Sequence, residues 1–187
     1  MTPHEALATL HALPLQRLVG IPTEKGIYAL ADHEHRFRYI GSTEGRDFRD
    51  RIQNRHVTGS ESNSHKFSWA YNVGRMFRGP KSRDPEIMAD RQAAKDLRTA
   101  FIRKHCRAVW MPLTGTRPEI EALEHAMVAI APPETVQWNR ERFHVAPPAE
   151  PAALVDGLIA ELGLQLSTRA RLERQARRHR LSLGEKV

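Results

Sequence analysis

KGIYALADHEHRFRYIG, residues 25–41, is the stretch on which the fold turns. Two short apolar runs, GIYAL and RYIGS, flank a polar middle, ADHEHRF. That is the layout of a β-hairpin: strand, solvated connection, strand. Each strand carries one tyrosine, Tyr28 and Tyr39. In an antiparallel pair such positions lie close across the ladder, and register decides which face each takes. From the strand pattern alone, two core aromatics with polar tips account for both.

Outward from the hairpin, the elements can be read in order. Thr2 and Pro3 open a short helix over 3–12, closed by Leu13-Pro14. After Gly41 the turn cluster STEGRD leads into a helix from about Asp47 to His56. Phe48 and Ile52 stand at i and i+4 on its buried side, Arg51 lies at the edge of that side, and His56 shares it. A Gly/Ser loop then reaches His65, and KFSWAYNVGRMF reads as a helix whose Trp69 and Tyr71 belong to the core. A polar loop follows, and Pro85, after Asp84, starts a helix to about His105. RAVWMPL, 107–113, alternates as a third strand. Thr116-x-x-Glu119 is a capping box for the next helix. On that helix the stripe 120, 123, 124, 127, 128, 131 reads Ile, Leu, Glu, Met, Val, Ala. Glu124 is thus a carboxylate on an apolar face, which is costly unless it is paired or binds a metal. Glu119 and Glu121 fall off the stripe.

Composition narrows the partners. Twenty-nine Lys and Arg against 22 Asp and Glu give a net charge of +7, which favours a polyanion. No run approaches the length of a membrane-spanning helix. The N-terminus does not read as a secretory signal. One cysteine, Cys106, excludes an internal disulfide and suits a reducing, cytoplasmic setting. Its spacing to His56 and His65 matches no compact zinc-ligand pair.

Gly26-Ile27-Tyr28 followed by Tyr39-Ile40-Gly41 resembles the two-part signature of the GIY-YIG nuclease superfamily. Phe48-Arg49-Asp50-Arg51-Ile52 reproduces the phrase after the second motif and selects Arg51. His56 follows five residues on, where four is the more usual interval. Leu123-Glu124-x-x-Met127-Val128, then Pro132-Pro133 and Asn139, repeats the closing part. His65 looks like the second histidine of some members. The resemblance spans roughly 22–140 and implies an α+β fold, a small three-stranded antiparallel sheet flanked by helices. To this the chain adds an N-terminal helix and lead-in (1–20), a helical insertion at about 78–105 within the core 21–145, and a Pro-rich linker with a basic helical extension (146–187).

The resemblance also implies a chemistry: metal-dependent hydrolysis of DNA phosphodiesters, leaving 5′-phosphate and 3′-hydroxyl ends. In it Glu124 holds one divalent cation, Mg²⁺ or Mn²⁺, and Arg51 neutralises the phosphoryl oxygens. Tyr28 serves as general base, with His56 accepting or relaying its proton. Tyr39 orients water or phosphate, and Asn139 is a supporting hydrogen-bonding group. A phenol is a poor base at neutral pH unless positive neighbours or the metal lower its pKa. A core of this size cuts both strands by two events or as a homodimer. The alternative is a nucleic-acid-binding protein on the same fold that no longer cuts. The C-terminal helix, with Arg169, Arg171, Arg174, Arg177, Arg178 and Arg180, reads as a phosphate-binding arm.

Overall fold

A computed structural model describes residues 1–43, 45–62, 64–140 and 149–185. Most of the expected linker at 145–151 lies outside the described residues. The chain forms two compact units, Met1–Gly59 with Ile102–Val145, and Ser60–Phe101 with Ala146–Val187. The second unit takes in both the helical insertion and the C-terminal extension, together with residues from Ser60 onward.

In the first unit, α1 (Pro3–Ala12) starts where Thr2 and Glu5 form a reciprocal capping box: the Thr2 N–H donates to Glu5 at 2.7 Å and Glu5 N–H to Thr2 Oγ1 at 3.3 Å. A two-residue strand, β1 (Gln16–Arg17), follows, then β2 (Gly26–Ala31), β3 (Phe37–Ser42) and, much later, β4 (Arg107–Pro112). All pairings are antiparallel in the order β1-β4-β2-β3. The sheet therefore has four strands, not the three expected. β1 pairs only Gln16 with Ala108 and Arg17 with Arg107, and both its residues are exposed. A strand that short and wet carries no alternation for a sequence reading to detect.

Ile27, Ala29 and Ile40 on one sheet face join Val109 and Met111 in the core. That core is closed by Ala6 and Leu10 of α1 and by Ile120, Met127 and Ala131. The last three come from, or just follow, α4 (Arg117–Ile130), whose capping box forms as expected, with Thr116 N–H donating to Glu119 at 2.7 Å. Each Ile, Leu, Val or Met side chain among them contributes about 1.5–3 kcal/mol through burial.

The helix expected over 47–56 is present at Arg49–Val57 but is a π-helix, not an α-helix. Its i→i+5 bonding shows directly at its end, where Thr58 N–H donates to the Gln53 carbonyl at 3.1 Å. Runs of this length are rare, and single π-turns concentrate at functional sites.

In the second unit, the helix expected over 66–77 is broken into α2 (Lys66–Ala70) and a 3₁₀ turn, Gly74–Met76. The break falls at Tyr71–Val73, where Val73 is extended, and the 3₁₀ turn then opens on Gly74, whose φ of 52° is left-handed. A Cβ there would strike the Glu150 carboxylate, which accepts the Arg75 N–H at 2.5 Å. α3 (Pro85–His105) matches its expected bounds, and its last turn belongs to the first unit. After α4 come a 3₁₀ turn, Pro133–Val136, and the short α5 (Gln137–Arg140), both packed on β3. α6 (Ala152–Glu161) stops before Gly163, φ 58°. α7 (Leu166–Ser182) has Gln165 at its N-cap position, and Ser167 and Thr168 lie inside its first turn.

α7 is docked, not a frayed tail. Leu172 and Gln175 are buried, and Asp90 of α3, itself fully buried, accepts from Arg174 at 2.6 and 2.9 Å and from Arg178 at 2.8 Å. Burial pushes the Asp90 carboxyl up, but the hydrogen bonds and charges of Arg174 and Arg178 outweigh it and hold the group below its ordinary range. Glu61, under the Arg98 guanidinium, is lowered in the same way. A carboxyl depressed in the folded state stabilises above its unfolded pKa, about 4, and that stability is lost as pH falls through the folded value. Thermal melts should therefore fall steadily below about pH 4, and less steeply in Asp90→Asn. Asp90→Ala should cost about 1–3 kcal/mol at neutral pH, less than a fully buried pair because both arginines reach water. An unchanged Tm would exclude this role for Asp90.

Candidate functional site

The hairpin register places both tyrosines on the face opposite the aliphatic core. Tyr28 stands across from Gly41 and Tyr39 across from Leu30, so the two are diagonal neighbours on one face. Their ring centroids are 6.0 Å apart. The π-helix covers them. Phe48, just before it, meets Tyr28 edge-on, and the His56 ring lies 5.6 Å from Tyr28 and 5.3 Å from Tyr39. The Tyr28 hydroxyl is 2.7 Å from His56 Nε2. Tyr28 and His56 are fully buried, Arg51 is 6% exposed and Tyr39 is half-buried.

The π-helix explains the five-residue interval between Arg51 and His56. In an α-helix, positions five apart lie about 140° around the axis from each other. With i→i+5 bonding the helix is wider, at about 4.4 residues per turn, and the same step falls to roughly 50°, so both lie on one side. Arg51 and His56 can therefore both address Tyr28 from one helix.

Gly41 has a specific reason to be glycine. A Cβ built on it would lie 2.5 Å from Tyr39 Cε1, 2.8 Å from the Tyr39 hydroxyl and 2.9 Å from the Tyr28 hydroxyl. Both phenol oxygens converge over its bare backbone. Gly26, at the start of β2, has φ 154° and faces the Met111 carbonyl where a side chain would sit.

Burial pushes the Tyr28 phenol well above the ordinary tyrosine value, and Tyr39 adds to this. Arg51 opposes it by charge and by hydrogen bonding without prevailing. The phenol is therefore a neutral O–H at pH 7. The charge of Arg51 does not by itself bring the phenol within reach of free-base chemistry. A neutral His56 imidazole protonated at Nδ1 accepts from the Tyr28 hydroxyl at Nε2; an imidazolium, or the Nε2–H tautomer, would donate there instead.

Asn139 is tied to β3 next to Tyr39. Its Oδ1 accepts from Ile40 N–H at 2.9 Å and its Nδ2 donates to the Ile40 carbonyl at 2.6 Å. β3 is an edge strand, and the amide completes its ladder where another strand would pair. A second clamp was not anticipated from the sequence. Arg38, the extra residue of a bulge between Leu30 and Ala31, donates to Asp32 at 2.7 Å and to Gln137 at 3.0 Å. Asp32 also accepts from the Glu34 and Arg36 N–H groups, and a turn-forming Asp after a strand was the available signal. Asn139→Ala should lower stability by about 1–2 kcal/mol, read from denaturant unfolding, because water replaces the amide only in part.

Glu124 lies on α4, the helix whose Ile120 and Met127 cover the opposite sheet face. Its side chain is 13% exposed and stands 3.7 Å from His125 Nε2. The expected stripe holds, with Leu123 and Val128 packed on the core beside it. Glu119 caps its helix and Glu121 pairs with Arg117, as off-stripe residues should. Among the described residues no group of three or more His, Cys, Asp or Glu gathers as a metal cluster.

His65 belongs to the second unit. It precedes α2, and its Nδ1 is 3.0 Å from Ser60 Oγ and 3.1 Å from Ser62 Oγ, contacts that organise its own loop. Of the six α7 arginines, Arg174 and Arg178 hold Asp90 and Arg169 donates to the Leu164 carbonyl. Arg177 and Arg180 are exposed and Arg171 is half-buried. No family model, curated protein or solved structure matches the chain.

Proposed function

We propose that the chain is a metal-dependent endonuclease of the GIY-YIG type that hydrolyses DNA phosphodiesters to 5′-phosphate and 3′-hydroxyl ends. The observation that carries this reading is the buried contact of the Tyr28 hydroxyl with His56 Nε2, with Tyr39 and Arg51 around it and Gly41 left bare beneath. Core aromatics alone have no need of a buried guanidinium and imidazole at their hydroxyls, since burying such groups is costly.

The high pKa of Tyr28 shapes the mechanism. The neutral phenol works as a relay: its oxygen takes a proton from the attacking water while its own proton passes to His56 Nε2. No phenolate forms as a resting species. Tyr39 holds the water or a phosphoryl oxygen at the mouth of the site. Arg51 offsets charge that grows on the phosphoryl oxygens. Asn139 keeps the Tyr39–Gly41 strand in register. Glu124 offers one hard oxygen ligand, which suits Mg²⁺ or Mn²⁺, since such ions commonly rest on one or two carboxylates with phosphate and water oxygens. A cation bound there supplies Lewis-acid stabilisation of the leaving 3′ oxygen.

The test is supercoiled plasmid with purified protein and Mg²⁺, Mn²⁺ or EDTA, beside Glu124→Ala. Metal-dependent nicked, linear or discrete products, absent from the variant, are the expected result. No cutting, with a salt-sensitive gel shift retained, would replace this reading with the binding protein on the same fold. Product ends are read by ligation with and without phosphatase treatment. Whether one copy or a homodimer cuts both strands is read from the dependence of linear product on protein concentration.

A further inference from the structure

The second unit contains a cavity of about 700 Å³, a size typical of small-molecule sites. It lies between the loop at Ser60–Glu61, the polar loop 78–82 and the first turns of α3. Its charge is unbalanced. Glu61, Arg78, Lys81 and Arg91 all line it. The one carboxylate among these is already matched from behind, because the fully buried Arg98 donates to Glu61 at 2.6 Å. Asn72 locks that arrangement, accepting from Arg98 at 2.8 Å and from the Arg78 backbone N–H at 2.7 Å.

Three cations then remain for the cavity. Arg78 reaches Glu61 only at 3.4 Å, and its buried Nε has no hydrogen-bond partner among the described residues. Arg91 is 8% exposed and donates to the Pro80 carbonyl, a neutral acceptor. Lys81 is exposed and joins no ion pair among the described residues. A guanidinium buried without a carboxylate is unfavourable unless an anion arrives. Burial, with the charge of Arg78 adding to it, lowers the pKa of Arg91, and the charge of Glu61 does not offset this. The lining also carries apolar groups: Phe77, whose ring lies 4.9 Å from that of His179, and Met88, 54% exposed.

Guanidinium groups match phosphate oxygens, and an aromatic face beside an exposed methionine matches a flat heterocycle. We propose that this cavity binds a nucleoside phosphate, its phosphate on Arg78, Lys81 and Arg91 and its base against Phe77. The ligand is either a free nucleotide or an unpaired nucleotide of a strand. The inference rests on this unit alone and does not depend on the cleavage reading.

The test is calorimetric titration of the full chain, without divalent metal, with a deoxynucleoside 5′-monophosphate, with inorganic phosphate and with a short single-stranded oligonucleotide. Saturable binding of the monophosphate, the oligonucleotide or both, tighter than that of inorganic phosphate, is expected. Monophosphate binding alone assigns a free nucleotide; oligonucleotide binding that the monophosphate displaces assigns a strand. Arg91→Gln should weaken binding about tenfold or more, the loss of one charge-assisted contact. Lys81→Gln, at an exposed position where packing is not at risk, should weaken it less and reduce the salt dependence. Equal affinity for phosphate and nucleotide, parent-like binding by both variants, or no binding of either nucleotide ligand would each overturn the proposal.

Discussion

Tyr28→Phe should cleave DNA about 10²–10⁴-fold more slowly than the parent under single-turnover conditions, the range expected for loss of a positioned acid–base group. Its affinity for DNA should be unchanged. The substitution removes one oxygen from a fully buried side chain and leaves the ring, with its edge-on contact to Phe48, in place. It also removes the partner 2.7 Å from His56 Nε2. Only the relay is lost, so the defect should lie in the chemical step and not in binding. The parent and variant should also differ in pH profile, since the variant no longer couples water to His56. Near-parental turnover by Tyr28→Phe would falsify the relay. Weakened binding with a normal chemical step would move the phenol from catalysis to substrate contact.

Gly41→Ala should lose about 10²-fold or more in cleavage, a cost typical of displacing reacting groups by an ångström. The added methyl needs space now held by three atoms, all belonging to Tyr39 and Tyr28 and all within 2.5–2.9 Å. Gly41 lies in regular β3 pairing and has no left-handed φ, so alanine is acceptable to the backbone. The tyrosines must yield instead. Tyr39 is half-buried and can swing outward, whereas Tyr28 is fully enclosed. Stability should therefore change much less than activity, and a thermal melt beside the single-turnover rate separates the two. A variant that cuts at the parental rate would show that the phenol oxygens need not converge here. One that unfolds outright would show that the strand, not the site, demands glycine.

These two experiments also bear on what could be read before any coordinates. The pairing of Tyr28 and Tyr39 was legible because a hairpin is local and its alternation gives the face. The selection of Arg51 and His56 over Arg49 and Arg55 came partly from the buried side that Phe48 and Ile52 mark. What the pattern could not supply was the π-helix. Helical periodicity in nine residues does not distinguish i+4 from i+5 bonding, and the five-residue step to His56 looked irregular until the helix type was known. The protonation of Tyr28 was likewise out of reach. The residue types named the competing influences, burial against Arg51, but only the enclosure of the ring decides which prevails.

The amino-acid sequence by itself determined the elements whose signals lie within a few residues of one another. These are α1 and α4 with their capping boxes, α3 behind Pro85, the β2–β3 hairpin, β4 and the apolar stripe that carries Glu124. Each is settled by side chain to backbone bonds or by periodic burial, which act over one or two turns. Tertiary structure decided the rest. β1 exists because an exposed pair of residues finds the edge of β4. The 3₁₀ turn that stands where the end of the helix at 66–77 was expected is held by Glu150, which accepts from the backbone at Arg75. The basic C-terminal helix docks because Asp90 takes two of its arginines. In each case the deciding partner is far away along the chain, and a charge or an open backbone group carries no mark in the sequence of the partner it will meet.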